Sequence, residues 1–298
     1  MPVRLPALIE PVPEPRTDLV AREAEPDAAF VALWLGRQAS PHTRRNYARQ
    51  AEAFRRHVGK PLAAVTLAGV LGYVDSLDGR ASATRANAVA IVKSLLSFAA
   101  QTGYLPVNVG AAVKAPSVKN TLAERILDQA EVVRALALEP SPRNRALLTL
   151  LYGAGLRISE ACGLRWRDLV AREAAGQVTV YGKGGKTRVV LLSAKTWGLL
   201  DALRGAAGPD DPVFRSRKGG GPLDASAVHR VVKAAAVRAG LSPEVSAHWL
   251  RHAHASHALD RGAPVHLVQA TLGHASVATT GRYLHARPSD SSARYLGV

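Results

Sequence analysis

Apolar residues recur every three or four positions along most of the chain, which predicts helices rather than strands. Four helices are predicted in the first hundred residues: one beginning at Asp27, one from Ser40 to Gly59, one over 67–77 and one over 82–101. Ser40 followed by Pro41 is typical of a helix start, and Gly59 of a helix end. Together these helices predict a compact four-helix domain over residues 27–113.

A second domain is predicted over residues 122–298, after a segment at 114–121 whose Pro116 and Ser117 indicate a linker. Its pattern predicts helices over 128–138, 144–152, 158–164, 195–204, 224–238, 247–260, 265–272 and 276–284. Only residues 177–192 alternate as strands do, around a glycine-rich turn, which predicts a β-hairpin. The expected fold class is therefore mainly α with a small β-hairpin or sheet. It comprises an N-terminal four-helix domain and a C-terminal mixed α/β domain.

The two ends of the chain are predicted to be tails. Residues 1–26 contain six prolines and no apolar periodicity, which indicates an extended or disordered segment. A short C-terminal tail is expected from residue 289. The length of 298 residues supports two domains, because one hydrophobic core rarely grows that large.

The charge of the chain favours a polyanionic partner. The formal net charge is +16, and 36 basic against 17 acidic residues lie after residue 30. Such a surface most simply binds nucleic acid through its phosphates. The 30 Arg against 9 Lys also fit a GC-rich coding sequence, and charge alone does not separate DNA, RNA and acidic membranes.

Three features of the sequence indicate the cellular compartment. The single cysteine, Cys162, excludes an internal disulfide framework and fits a reducing compartment. Prolines interrupt every apolar run near the N-terminus, so no signal peptide is expected. The sequence contains no run of about 18 apolar residues, so no membrane span is expected. We therefore expect a cytoplasmic protein that does not associate with membranes.

The predicted helix at 247–260 concentrates chemistry that a purely structural helix does not need. His248 and Arg251 are three residues apart, so their side chains share one face. A cation and a titratable imidazole on one surface suit a phosphate. The four histidines of the helix also fit a solvated face or a set of satisfied core histidines, and His254 and His257 are given such a structural or solvated role.

A metal site is the alternative interpretation of this helix. His248 and His252 are four residues apart, as in helices that bind zinc. The glutamate of an HExxH motif is absent, and no Cys, Asp or Glu cluster lies nearby in the sequence. We therefore expect no metal and no cofactor. His252 is left with an open role, as a residue that supports the site without contacting the phosphate.

Arg157 and Glu160 lie in the segment GLRISE, directly after a glycine-rich break. A long side chain at such a helix start can project into a cleft, although an arginine there is commonly a surface residue. Glu160, three residues further on, can brace the guanidinium of Arg157 from behind. Its alternative role is that of an ordinary capping or surface carboxylate.

Lys183 lies in the predicted hairpin turn YGKGGKTR. A glycine turn allows close approach of the backbone to a ligand, and a hairpin tip can carry an ammonium group into a DNA groove. Lys186 and Arg188 compete with it for that role. The spacing and context of a phosphate-binding P-loop are missing.

The candidate residues follow a definite order along the chain: Arg157, Lys183, His248 with Arg251, His274 and Tyr283. The motifs GLRISE, GKGGKTR, HWLRH, LGH and GRYLH, in this order, resemble those of the tyrosine recombinases, also called the phage integrase family. By size the chain resembles its Xer-type members. The motifs cover residues 122–285, and the N-terminal helical domain is similar to the family's core-binding domain in length and position.

The resemblance implies a site-specific DNA recombinase that cuts and rejoins strands through a 3′-phosphotyrosine, without ATP or metal. Tyr283 would be the nucleophile, and Arg157 and Arg251 would hold the non-bridging phosphate oxygens. Elementary chemistry agrees, because cleaving a phosphodiester without a metal needs a nucleophile, a cationic clamp and a proton donor. Tyr295 is the alternative nucleophile. Its segment more closely resembles a C-terminal segment that docks on a neighbouring subunit.

The remaining roles also follow from the resemblance. His248 would assist proton transfer from the tyrosine hydroxyl, Lys183 would protonate the leaving 5′ hydroxyl, and His274 would donate a hydrogen bond to the phosphate. The expected partner is a double-stranded recombination site, bound by a homo-tetramer or by a hetero-tetramer with a paralogue.

Contacts to the DNA backbone are expected from exposed cations. The second predicted helix carries an arginine-rich side, which suits a helix lying along phosphates. The residues predicted to contact DNA are Arg44, Arg45, Arg49, Lys186 and Arg188. Two other classes of protein remain open: a DNA-binding protein of the same fold that does not cleave, and a metal-dependent hydrolase that uses the histidine-rich helix. A type IB topoisomerase would share the strand-cleavage chemistry of a tyrosine recombinase.

Overall fold

The computed structural model describes residues 26–118, 120–182 and 185–284. It divides into two compact units, Met1–Lys119 and Asn120–Val298. Of the tails predicted at 1–26 and from 289, residues 1–25 and 289–298 lie outside the described residues, and Pro26 begins the first helix. Lys183 and Tyr295 lie outside them as well.

The first unit is built from four α-helices, as the apolar spacing predicts. They are α1 (Pro26–Gly36), α2 (Pro41–Val58), α3 (Leu67–Asp75) and α4 (Ser82–Gln101), with a 3-10 helix at Leu62–Ala64 before α3. The hydroxyl of Ser40 caps α2 by accepting from the backbone N–H of Thr43. Gly59 ends α2 at a φ of +61°, in the left-handed region that favours glycine.

The core of this unit combines aliphatic and aromatic side chains. Fully buried residues include Trp34, Phe54, Leu95 and Leu96. At one side the carboxylate of Asp27 is buried and accepts from the hydroxyl of Tyr104 at 2.7 Å and from the backbone of Leu62 at 2.8 Å. This pair of bonds ties the start of α1 to distant parts of the unit.

The second unit holds eight helices and three strands among its described residues. In chain order they are α5 (Gln129–Ala137), α6 (Pro142–Gly153), α7 (Ile158–Gly163), β1 (Leu169–Arg172), β2 (Ala175–Tyr181), β3 (Thr187–Leu192), α8 (Ala194–Arg204), α9 (Ala225–Arg238), α10 (Ala247–Asp260), α11 (Val265–Leu272) and α12 (Val277–Gly281). The predicted mainly α chain with a small β element is confirmed.

The sheet has one strand more than the sequence pattern predicts. It is antiparallel in the order β1, β2, β3, with Val178 opposite Leu169 on one side and Val190 on the other. β1 escapes prediction because it is four residues long and buries only Leu169, so it shows no alternation. The hairpin of β2 and β3 matches the predicted one.

Helix α6 lies at the centre of the second unit, packed against α8 and α10. Its middle residues, Leu147, Leu148, Leu150 and Leu151, are all buried. The middle of α6 is therefore buried on all sides, as is typical of a helix inside a core. Within the described ranges, no helix is long and apolar enough to cross a membrane.

Candidate active site

Arg157 stands at the junction between α6 and α7. Gly155 adopts a φ of +60° and turns the chain sharply, and Arg157 then forms the N-terminal cap of α7. The backbone N–H of Arg157 donates to Oε2 of Glu160 at 2.8 Å, and its Nη1 donates to Oε1 at 2.8 Å. The carboxylate therefore holds both the backbone and the guanidinium of Arg157.

Glu160 is the centre of a buried ion cluster. Its side chain is 3% exposed and also accepts from both terminal nitrogens of Arg188, at 2.9 and 2.8 Å. Burial by itself raises the pKa of Glu160, but hydrogen bonds from Arg188 and Arg157 outweigh it and hold that pKa at about 2. Glu160 is therefore ionised at neutral pH and neutralises part of the surrounding positive charge.

Arg188 is used inside the protein, which differs from the expectation of a DNA contact. Its Nε donates to the carbonyl of Thr271 at 2.7 Å, and its other two nitrogens bind Glu160. Its side chain is 12% exposed. With all three guanidinium nitrogens engaged, Arg188 joins β3, α7 and the end of α11 rather than presenting a free cation.

Arg251 is the buried cation of the site. It lies on the inner face of α10, is 3% exposed, and donates from Nη1 to the carbonyl of Gly155 and from Nη2 to the carbonyl of Leu272 at 2.6 Å. Burial, together with the neighbouring charge of Arg157, lowers its pKa to about 10. The positive charges of Arg157 and Arg251 repel each other, so an anion bound beside them is stabilised by both.

A pocket of about 490 Å³ opens at Arg157. Its lining includes Arg157, Lys186, Arg188, Gly273 and His274. The Nη2 of Arg157 also approaches the carbonyl of Gly273 at 3.5 Å, so one wall comes from the turn after α11. The pocket is open to solvent, and Arg157, Lys186 and Arg188 make its lining cationic, which suits a phosphate on a long polymer.

His274 lies in that turn and is held by Thr280. Its Nδ1 is 2.9 Å from the hydroxyl of Thr280, which is fully buried in α12. Burial lowers the pKa of His274 to about 4, and the charges of Arg251 and Arg157 add to that effect. The imidazole is therefore neutral at neutral pH.

Tyr283 follows α12 and is 6% exposed. It belongs to a small cluster with Leu122, Ile126, Val268 and Leu272. Burial raises the pKa of the Tyr283 hydroxyl, although the charges of nearby arginines oppose the shift. The hydroxyl is therefore protonated at neutral pH.

The hydroxyl of Tyr283 meets His252, the histidine whose role the sequence left open. Its oxygen lies 2.7 Å from Nδ1 of His252. His248 lies one turn earlier on α10, is exposed, and has its ring centroid 5.0 Å from that of His252. The structure thus places His252, rather than His248, against the hydroxyl.

The other two histidines of α10 face the body of the unit. Nδ1 of His257 lies 2.9 Å from the hydroxyl of Tyr152 on α6. His254 is half-buried beside Gly155, and burial lowers its pKa to about 4. In the part of the chain that the structure describes, no group of three or more His, Cys, Asp or Glu residues is arranged to hold a metal ion.

Two family models match the chain. The model of the phage integrase family matches residues 123–290, and that of its N-terminal SAM-like domain matches residues 29–103. The chain belongs to the phage integrase family. The resemblance to tyrosine recombinases that the motifs indicate is confirmed.

Relatives of this family are similar over most of the chain. Tyrosine recombinase XerC of Myxococcus xanthus is 34% identical over 270 residues, covering 82% of this chain and 87% of that protein. Tyrosine recombinase XerC of Xylella fastidiosa, strain 9a5c, is 34% identical over 282 residues, covering 87% and 91%.

Solved structures show the same fold. A lambda integrase (75–356) dimer bound to a COC′ core site superposes with a TM-score of 0.73 at 22% identity, covering 89% of this chain and 95% of that one. The XerH recombinase bound to a difH substrate, in a pre-cleavage complex, gives a TM-score of 0.69 at 21% identity, covering 91% and 84%.

The predicted DNA contacts of this phage integrase family member divide by position. Arg44, Arg45 and Arg49 are exposed on α2. Lys186 is exposed at the hairpin turn. The contacts remain predictions.

Sequence reasoning missed two arginines near the hydroxyl of Tyr283. Arg125 lies in a 3-10 helix (Ala123–Arg125) that packs on α10, and Arg282 directly precedes Tyr283. The charges of both lower the pKa of His252. No motif marks Arg125, because it lies more than a hundred residues from α10 in sequence and meets it only in the fold.

Proposed function

We propose that this tyrosine-type site-specific recombinase cleaves DNA by attack of Tyr283 on a phosphodiester, leaving a 3′-phosphotyrosine. The arrangement that carries the proposal is a cationic pocket lined by Arg157 and His274, with the ring of Tyr283 6.5 Å from that of His274 and the charge of Arg251 acting on the Tyr283 hydroxyl. The phosphotyrosine keeps the bond energy of the phosphodiester, so religation to another 5′ hydroxyl needs no ATP.

The two arginines form the clamp for the scissile phosphate. Arg251 is fixed by two backbone carbonyls, and Arg157 by Glu160, so both guanidinium groups are pre-positioned. Preorganised cations stabilise the charge that develops on the non-bridging oxygens, and such an arginine contributes about 10³ to 10⁵ in rate. Glu160 and Arg188 position the clamp from behind.

Two further groups donate a hydrogen bond or a proton during cleavage. His274 is a neutral imidazole at the pocket and donates a hydrogen bond to the phosphate. Lys183 protonates the leaving 5′ oxygen; this role rests on the family resemblance of the turn YGKGGKTR, since Lys183 lies outside the described residues.

The second unit carries the chemistry, and the first unit holds the DNA. We place the DNA-binding domain at residues 27–113, the linker at 114–121 and the catalytic domain at 122–298. The exposed arginines of α2 support the first assignment, since they present cations at the surface of one helix. Lys186 at the hairpin turn supports a second contact to the backbone of the DNA.

Strand exchange requires four such transfers within a synapse of two duplexes. The solved structure of a lambda integrase tetramer bound to a Holliday junction has the fold of this chain, with a TM-score of 0.73. We therefore assign a tetramer as the working assembly, made of this chain alone or of this chain with a paralogue. Light scattering of the purified chain on its DNA site, with and without a candidate paralogue, measures the stoichiometry.

Covalent trapping tests the proposed function and identifies the site. The full chain is incubated with nicked duplexes from host DNA, and the DNA that stays attached after denaturation is sequenced. The expected adduct survives EDTA, persists in Tyr295→Phe and is lost in Tyr283→Phe. An adduct that persists in Tyr283→Phe and is lost in Tyr295→Phe overturns the choice of nucleophile. DNA binding without any adduct supports a non-cleaving DNA-binding protein, and activity lost to EDTA supports a metal-dependent hydrolase.

A further inference from the structure

The hydroxyl of Tyr283 has its hydrogen-bond partner inside the protein. His252 presents Nδ1 to it at 2.7 Å, with the two ring centroids 5.6 Å apart. Both side chains are shielded: Tyr283 is 6% exposed, and His252 is partly buried on the inner side of α10. A buried phenol needs such a partner, and here the partner also fixes the direction of the hydroxyl.

The protonation states leave His252 able to accept a proton and Tyr283 able to donate one. Burial lowers the pKa of His252 to about 4, and the charges of His248 and Arg251 add to the effect, so the ring is neutral at neutral pH. Burial raises the pKa of Tyr283, so the phenol keeps its proton. A neutral imidazole has one accepting nitrogen. In the tautomer with the ring proton on Nε2, Tyr283 donates to Nδ1, and this is the arrangement that proton transfer to His252 requires.

His248, the residue that the motif suggests for proton transfer, occupies a different position. It is exposed, and its ring stands nearly perpendicular to that of His252, at 82°. Although the residue as a whole is exposed, partial desolvation of its ring lowers its pKa, and the charges of Arg251 and Arg157 lower it further. His248 thus lies toward the two arginines of the phosphate clamp, while His252 lies at the nucleophile.

We propose that His252 takes the proton from Tyr283 during attack, an assignment that rests on the proposed function. As the bond from the phenolic oxygen to phosphorus forms, the phenolic proton moves to Nδ1 of His252. The bond from phosphorus to the 5′ oxygen breaks with its electron pair on that oxygen, which Lys183 protonates. In religation His252 returns the proton to the departing oxygen of Tyr283.

The surrounding charges make this base depend on the substrate. The cations that face His252 come from three elements: Arg251 on α10, Arg125 in the 3-10 helix packed on α10, and Arg282 after α12. His248 faces it from one turn away. A bound phosphate places negative charge beside these cations, which raises the pKa of His252 toward the ordinary value of histidine. The base therefore becomes effective only when DNA is present.

The test uses the full chain and the nicked duplex that wild-type trapping identifies, with adduct formation followed in single turnover across pH. His252→Asn keeps an accepting oxygen near the position of Nδ1 but cannot take a proton. We expect its adduct rate to fall by about 10² to 10⁴, the usual contribution of a general base. We also expect its rate to keep rising with pH, where the wild-type rate reaches a plateau, because solvent hydroxide must then form the tyrosinate. Imidazole should restore His252→Ala, and pyrazole, a ring of the same size but weakly basic, should not.

The matched control is His257→Asn, because His257 makes the same type of contact from the same helix, with Nδ1 2.9 Å from the hydroxyl of Tyr152. It should lose a similar amount of thermal stability and keep the wild-type pH profile. The proposal is overturned if His252→Asn cleaves as fast as this control, or if its rate falls with an unchanged pH profile. If His252→Ala does not fold, the pH profile of His252→Asn decides. A wild-type chain that forms no adduct on any DNA contradicts the proposed function instead.

Discussion

At the scale of single residues, the site is a balance of cations around one buried carboxylate. Glu160 accepts four hydrogen bonds, two from Arg157 and two from Arg188. Arg251 lies close enough for these charges to shift its pKa, yet it is held by backbone carbonyls. Glu160 therefore offsets the repulsion among the arginines, and the clamp stays assembled before any phosphate arrives.

Replacing Glu160 with Gln should destabilise the chain in a pH-dependent way. The pKa of Glu160 is about 2 in the folded chain and 4.5 ordinarily, so its ionised form contributes stability above pH 4.5. That contribution, about 3 kcal/mol for a shift of this size, is lost as the pH falls toward 2. Urea unfolding at neutral pH and near pH 3 should show a smaller gap between wild type and variant at the lower pH.

The control for this change is Glu244→Gln, which removes an exposed carboxylate of the same unit. It should leave the free energy of unfolding within about 0.5 kcal/mol of wild type at both pH values. An equal gap at both pH values for Glu160→Gln would show that the loss comes from packing rather than from ionisation.

At the scale of elements, the junction between α6 and α7 positions both arginines of the clamp. Gly155 turns the chain in the left-handed region, presents its carbonyl to Arg251, and leads directly to Arg157 at the start of α7. A side chain at this position would also meet α10 and α11. One backbone turn thus serves the two cations, which come from helices far apart in sequence.

Gly155→Ala should lose both stability and cleavage. Its Cβ would lie 2.7 Å from Cδ2 of Leu272 and 2.9 Å from Cδ2 of His254, at a φ of +60°. The matched control is Gly262→Ala, which has a φ of +82° and no atom within 4 Å of the added Cβ. The control costs backbone strain of about 1 kcal/mol, and Gly155→Ala costs about 1 to 3 kcal/mol more because of the clash.

Thermal melts and adduct rates, measured on the same preparations, separate the two effects of this substitution. Adduct formation should fall in Gly155→Ala by more than in Gly262→Ala, because the carbonyl that holds Arg251 moves with the turn. Equal losses of stability in the two variants would show that the packed chain accommodates the added methyl group.

At the scale of the whole molecule, the net charge of +16 predicts DNA binding that weakens steeply with salt. The logarithm of the binding constant should fall linearly with the logarithm of salt concentration, with a slope of about 0.9 for each phosphate contacted. The double variant Arg44→Gln, Arg45→Gln should reduce the magnitude of that slope by the amount expected for about two phosphate contacts. Fluorescence anisotropy on a duplex of unrelated sequence measures it, and an unchanged slope would place these arginines away from the DNA.

Much of the fold follows from local sequence, because helix caps and apolar spacing act over a few residues. Ser40 and Gly59 mark the ends of α2 as the sequence predicts. The strand β1 is the exception, since its four residues bury only Leu169 and need β2 to form. Local rules fail where the stabilising partner is distant in sequence.

The sequence by itself determined the family, through five motifs in order, and the net positive charge, because both are properties of the chain alone. Only the tertiary structure decided which side chains meet. The motif assigns proton transfer to His248 and leaves the role of His252, four residues on, open; the packing of the segment after α12 brings Tyr283 to His252. Arg188 likewise reads as an exposed cation until the fold places Glu160 and Thr271 around it. These contacts join residues far apart in the chain, and long-range packing alone sets them.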